Sequence, residues 1–95
     1  MYTTVRSYSS DQGLVAALVE NESEVRGLLT GIDGFRAYYM LRTPDGGAIS
    51  ISVYDDAAGA DASNAAAAGW VRENLPDLAA GGPPQTWAGE VAVSF

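Results

Sequence analysis

Residues 35–54, FRAYYMLRTPDGGAISISVY, read as two strands joined by a turn. Phe35, Ala37, Tyr39 and Leu41 alternate with Arg36, Tyr38, Met40 and Arg42, the period of two expected of a strand with two chemically different faces. Pro44-Asp45-Gly46-Gly47 supplies a preset φ followed by residues free to take positive φ. Ala48 to Tyr54 then alternates Ile49, Ile51 and Val53 with Ser50, Ser52 and Tyr54. By the usual rule the aliphatic set faces a core and the polar set does not.

Upstream, Tyr2 to Tyr8 is rich in β-branched and aromatic residues and reads as a strand, with Ser9, Ser10 and Asp11 positioned to cap a helix. Leu14, Ala17, Leu18, Val25, Leu28, Leu29 and Ile32 fall three and four apart, which predicts one helix with a single apolar stripe, ended by Gly31 and Gly34. Asn21 interrupts that stripe, and a buried amide costs about 1–3 kcal/mol when unpaired. It reads either as a helix turn leaving the core or as a ligand contact.

Downstream, an alanine-rich stretch from Asp55 to Leu78 predicts a second helix, with Asp56, Asp61 and Ser63 as competing N-caps and Pro76 ending or kinking its last turn. Gly81-Gly82-Pro83-Pro84 is a connector. Thr86 to Ser94 predicts the last strand, with Trp87, Val91 and Val93 opposite Ala88, Glu90 and Ala92. The order is βαββαβ, an α+β ferredoxin-like unit with a four-stranded antiparallel sheet covered by helices on one face, read as one domain over 1–95.

On this reading Val5, Ile49, Ile51, Val53, Val91 and Val93 face the helices. The other face collects Tyr2, Thr4, Arg6, Tyr8, Arg36, Tyr38, Met40, Arg42, Ser50, Ser52, Tyr54 and Glu90. That face is too aromatic to be left to water and predicts a homodimer, with Tyr38, Met40 and Tyr54 at the contact.

Composition removes several classes of chemistry. Histidine and cysteine are absent, and all five basic residues are arginines, so no lysine is present either. Imidazole acid–base catalysis, histidine-ligated haem or zinc, thiolate chemistry and a lysine Schiff base are all excluded. Ser50 and Ser52 therefore have no base to activate them. A net charge of −7 opposes a nucleic-acid partner. No apolar run approaches the roughly 18 residues of a membrane span, and no secretory leader is recognisable, so a soluble cytoplasmic protein without a membrane partner is expected. Asp55, Asp56 and Asp61 sit where helix caps belong and lack the ligand spacing of a calcium loop. Gly46-Gly47 and Gly81-Gly82 lack the phosphate-loop pattern.

Gly34-Phe35-Arg36-Ala37-Tyr38-Tyr39, the hairpin into Ile49-Ser50-Ile51-Ser52-Val53-Tyr54-Asp55, and Ala68-Gly69-Trp70-Val71 give the chain a resemblance to the dimeric α+β-barrel superfamily. The likeness is to its antibiotic-biosynthesis-monooxygenase-like branch and covers nearly the whole chain. It implies a small-molecule-binding homodimer, and oxidation of phenolic compounds without flavin, metal or haem, the substrate itself reducing O₂. The haem-degrading relatives need a histidine that this chain lacks.

Pockets of this branch use asparagine, tryptophan, tyrosine and arginine. The resemblance therefore marks Trp70 and Asn74 as catalytic candidates, with Asn64 a nearby alternative, and Tyr39, Asn21, Arg36 and Trp87 as binding candidates. No cofactor and no metal ligand is implied, and a small aromatic ligand is. Two other readings stand beside this one. Trp70 also suits a helix core, and Arg6, Arg36, Arg42 and Glu90 suit cross-strand pairing or dimer contacts as well as an anion site. The alternative to an enzyme is a non-catalytic ligand-binding or assembly module of the same fold.

Overall fold

The computed structural model describes residues 1–95. Its elements are β1 (Tyr2–Tyr8), α1 (Leu14–Glu20), α2 (Glu22–Thr30), β2 (Phe35–Arg42), β3 (Ala48–Tyr54), α3 (Ala57–Asn74), α4 (Pro76–Ala80) and β4 (Gln85–Glu90). The sheet order is β2-β3-β1-β4 and every pairing is antiparallel. This is the ferredoxin-like α+β arrangement, with α3 lying over β1 and β3 and α1 over β2.

The helix boundaries follow from local chemistry. Asp11 Oδ1 accepts from the Val15 backbone N–H at 2.9 Å and opens α1. The single helix expected from Leu14 to Ile32 is in fact two, because Asn21 leaves helical geometry at φ −110° and ψ 29°. Its side-chain amide donates to the Ala17 carbonyl at 2.8 Å, so the interruption of the apolar stripe marks the break itself. Of the three competing caps, Asp56 starts α3, its Oδ1 accepting from Gly59 N at 3.0 Å. Pro76 ends α3 and takes the first position of α4, where its missing N–H costs nothing. The final strand is shorter than expected. Val91–Phe95 lie beyond it, so Val91 and Val93 do not pack beneath the helices.

The assignment of faces is the main correction. Thr4, Arg6, Ser50, Ser52 and Tyr54 are each at most 3% exposed, and they lie under the helices with Tyr8, Tyr38, Met40 and Ala48. Val5, Ile49, Ile51 and Val53 are on the opposite, open face with Tyr39, Leu41 and Trp87. Tyr38, Met40 and Tyr54 therefore cannot form the exposed dimer contact expected of them. Choosing the aliphatic face as the inner one fails because the polar groups under the helices are bonded to one another, which removes most of the cost of burying them.

A bulge adds a second correction. Phe35 opposes Tyr54 while Ala37 opposes Val53, so Arg36 is an extra residue and the alternation shifts by one there. Phe35 thereby leaves the face of Ala37, Tyr39 and Leu41 and meets the Tyr54 ring edge-on, centroids 5.6 Å apart. Above them α3 comes close enough that a Cβ at Gly59 would lie 2.8 Å from Tyr54 Cδ2. The apolar core is completed by Leu14, Val15, Val25, Leu29, Trp70, Val71 and Leu78. No helix is long and apolar enough to cross a membrane.

Candidate functional site

The inner face of the sheet is organised around Arg6. Its position in β1 places it opposite Ser50 of β3, one pair away from the Thr4–Ser52 pair. Nη2 donates to Ser50 Oγ at 2.6 Å and to Ser52 Oγ at 3.2 Å, while Nη1 donates to Asn64 Oδ1 from α3. Asn64 is oriented by the same network, its Nδ2 donating to Thr4 Oγ1 at 3.0 Å. The Thr4 proton has Asn64 Oδ1 at 3.2 Å and the Trp87 carbonyl at 3.4 Å as acceptors. Two strands and one helix thus fix one guanidinium.

Every partner of that guanidinium is neutral. Arg26 pairs with Glu22 and Arg36 with Asp55, both exposed, whereas Arg6 has no carboxylate within ion-pair range although it is only 3% exposed. A buried cation without a counter-charge costs several kcal/mol after relaxation. Its effect reaches the neighbouring phenols. Burial pushes the Tyr8 hydroxyl above its ordinary pKa of 10.0, and Arg6 opposes that rise without cancelling it. Tyr54 is raised for the same reason, and its hydroxyl donates to the Leu29 carbonyl at 2.7 Å.

Two buried N–H groups lack any partner, Arg6 Nε and Trp70 Nε1. Both residues line a cavity of about 20 Å³ together with Tyr8, Tyr38, Met40 and Ser50. That volume suits roughly one water-sized group with hydrogen-bonding capacity. The cavity adjoins a groove of about 420 Å³ between α1, α2 and β2, and the two share Leu18, Val25, Leu29, Tyr38 and Met40 in their walls. The groove is apolar apart from Glu22, Arg26 and Thr30. The arrangement can receive a flat apolar body outside and one electron-rich oxygen inside. No three acidic or other metal-ligating side chains gather anywhere in the chain.

Of the catalytic and binding candidates named from sequence, Trp70 lies here, Asn64, the alternative to Asn74, holds the guanidinium, and Arg6, read from sequence as a pairing or anion-site residue, is its centre. Asn74 is exposed at the end of α3 and donates to the Trp70 carbonyl at 2.9 Å. Tyr39 and Trp87 project from the open face, 58% and 51% exposed. Arg36 sits at the bulge on the outer edge, and Asn21 is spent on the α1–α2 junction. Arg6, Tyr8, Tyr38 and Asn64 are the residues that join Trp70 or fix the site. Their signal was the matched polar alternation Thr4-x-Arg6-x-Tyr8 and Ser50-x-Ser52-x-Tyr54, assigned to the wrong side.

No protein-family model and no curated protein matches the chain. Solved structures do match it in shape. A Bordetella bronchiseptica protein, provisionally designated an antibiotic biosynthesis monooxygenase, superposes with a TM-score of 0.69 at 14% identity, covering 97% of each chain. A protein of unknown function from Nitrosomonas europaea gives 0.68 at 20% identity, covering 99% of this chain and 91% of its own. A Streptomyces coelicolor monooxygenase, solved with the ligand nanaomycin D, gives 0.67 at 17% identity, covering 99% and 89%.

Proposed function

Starting from a chain with the antibiotic-biosynthesis-monooxygenase-like fold of the dimeric α+β barrels, we propose that it binds a phenolic aromatic compound between helices and sheet and oxidises it with O₂, without a cofactor. The observation that carries this reading is the buried, uncompensated guanidinium of Arg6 beside the unmet indole N–H of Trp70. A phenolate oxygen supplies what both lack. Its ring extends into the apolar groove past Tyr38 and Met40, which must turn to admit it.

The chemistry then needs little from the protein. A cation in contact with the phenol favours its ionised form, and no side-chain base is required when the proton leaves to water. The phenolate passes one electron to O₂, the resulting radical pair combines at a ring carbon, and the hydroperoxide loses water to leave a quinone. The sum is phenol plus O₂ giving quinone plus water, so the substrate is the only reductant. Arg6 and Trp70 act by holding and stabilising the oxyanion, a contribution of the oxyanion-hole kind.

The partner in this reading is a second copy of the chain. Val5, Ile49, Ile51, Val53, Tyr39, Leu41 and Trp87 share the open side of the sheet, with Tyr39, Leu41 and Trp87 exposed, and neighbouring apolar side chains of this kind mark an interaction surface. Face-to-face association of two such sheets buries it.

The test is oxygen uptake with 1-naphthol and a set of dihydroxynaphthalenes, using ¹⁸O₂ to trace the product. Wild type is expected to place one labelled atom in the quinone, and Arg6→Met to lose at least 100-fold in kcat/KM. Ligand binding without uptake would make the chain a non-catalytic binding module. Absence of binding would overturn the reading.

A further inference from the structure

We infer that Met40 is a modification site: during turnover its thioether takes the distal oxygen of the ring hydroperoxide and becomes the sulfoxide. This rests on the phenol oxidation proposed above, which forms that hydroperoxide.

Arg6, Ser50 and Met40 lie side by side across β1, β3 and β2, since Ser50 pairs with Arg6 on one side and with Met40 on the other. Side chains in such a row share one face of the sheet, so Met40 stands beneath the helices on the β2 side of the guanidinium. It is half-buried, and it walls both the small cavity at Trp70 and the apolar groove. A phenol whose oxygen reaches Arg6 and Trp70 from that groove lays its ring along this side chain. The one other methionine is Met1, which is 42% exposed, and no cysteine is present to compete for the peroxide.

A thioether is a nucleophile toward peroxides, and the sulfoxide is the usual oxidation product of methionine. Sulfur attacks the distal oxygen, the O–O bond breaks, and the hydroperoxide proton passes to the proximal oxygen. Sulfur is oxidised by two electrons and the peroxide is reduced by two, so a dihydroxy ring and a sulfoxide are left in place of quinone and water. The sulfoxide is polar, whereas the groove wall it joins is apolar, so each event obstructs the next ligand. Activity is then lost with turnover rather than with time. Met40 as packing alone would only fill space. Exposure would in that case govern its oxidation, with Met1 ahead of Met40.

The experiment supplies 1-naphthol and ¹⁸O₂ to the full chain with catalase present, then digests with trypsin, which cuts after Arg6, Arg36 and Arg42 and so separates the two methionines for mass spectrometry. Met40 should carry ¹⁸O at least tenfold above Met1, and in a parallel sample given hydrogen peroxide without phenol or catalase Met1 should lead. Wild-type progress curves should bend downward with turnover, methionine sulfoxide reductases should restore the rate, and Met40→Leu should stay linear whatever its starting rate. Turnover with Met40 unlabelled, or with both methionines labelled alike, overturns the modification while leaving phenol oxidation in place. Absence of turnover overturns both.

Discussion

The two faces of this sheet are written in the same strands, one residue out of step, and their polarities are the reverse of the usual rule. The inner face carries Thr4, Arg6, Ser50 and Ser52 under helices, while the outer carries Val5, Ile49, Ile51 and Val53 in the open. Burial and hydrophobicity therefore come apart here. The inner polar groups are tied to one another and to Asn64, so they tolerate burial as a network. The outer aliphatic groups have neighbours in their own sheet and nothing over them.

The contrast is broken most severely at Arg6. Arg6→Met should cost two to three orders of magnitude in phenol oxidation, about 3–4 kcal/mol of transition-state stabilisation, read as kcat/KM beside a melt that still shows a cooperative transition. Next is the packing of α3 onto the inner face. Gly59→Val forces a side chain against Tyr54 and the Asp33 carbonyl, and should cost about 2–3 kcal/mol by urea denaturation. A result within 0.5 kcal/mol, by that same approximate scale, would mean α3 does not sit where described.

Much of this was legible in the sequence and one part was not. The element order followed from periodicity, and Trp70 stood out as the one large aromatic in an alanine-rich helix. What alternation cannot supply is which face is inside, since period two gives two equivalent choices and only tertiary cover selects one. The bulge at Arg36 added an extra residue that no alternation count contains, and it separated Phe35 from its apparent set. Arg6 reads from sequence as an open-face residue, suited to pairing, a dimer contact or an anion site, for a related reason. Arginine is rarely buried, so parity places it in the open, and its three acceptors come from residues 44 to 58 positions away.

A paired substitution sharpens the comparison directly. Ser52→Val removes an acceptor from Arg6 in a fully buried position, whereas Ile51→Ser trims a half-covered residue on the outer face. Measured at concentrations low enough to keep the chain monomeric, Ser52→Val should be the more destabilising, by about 1–2 kcal/mol. The usual ordering of apolar and polar substitutions is inverted. Ile51→Glu should instead show itself in light scattering, by weakening self-association.

The smallest effect is on pH dependence. Tyr8 and Tyr54 hold their protons more tightly when folded, so above the ordinary tyrosine value of 10.0 the unfolded chain releases protons that the folded chain keeps. Stability should be level below that pH and fall above it. Tyr8→Phe should flatten the decline, and an identical slope in the variant would remove Tyr8 from the buried network.

The two tryptophans report the two faces separately, Trp70 from beneath the helices and Trp87 from the open side. A ¹⁵N-labelled sample gives two indole N–H signals, which can be followed through an anaerobic titration with 1-naphthol and through serial dilution. Ligand should move the Trp70 signal downfield as its N–H gains an acceptor, and dilution should move Trp87. If the ligand shifts Trp87 and leaves Trp70 in place, the polar inner face is not the binding site.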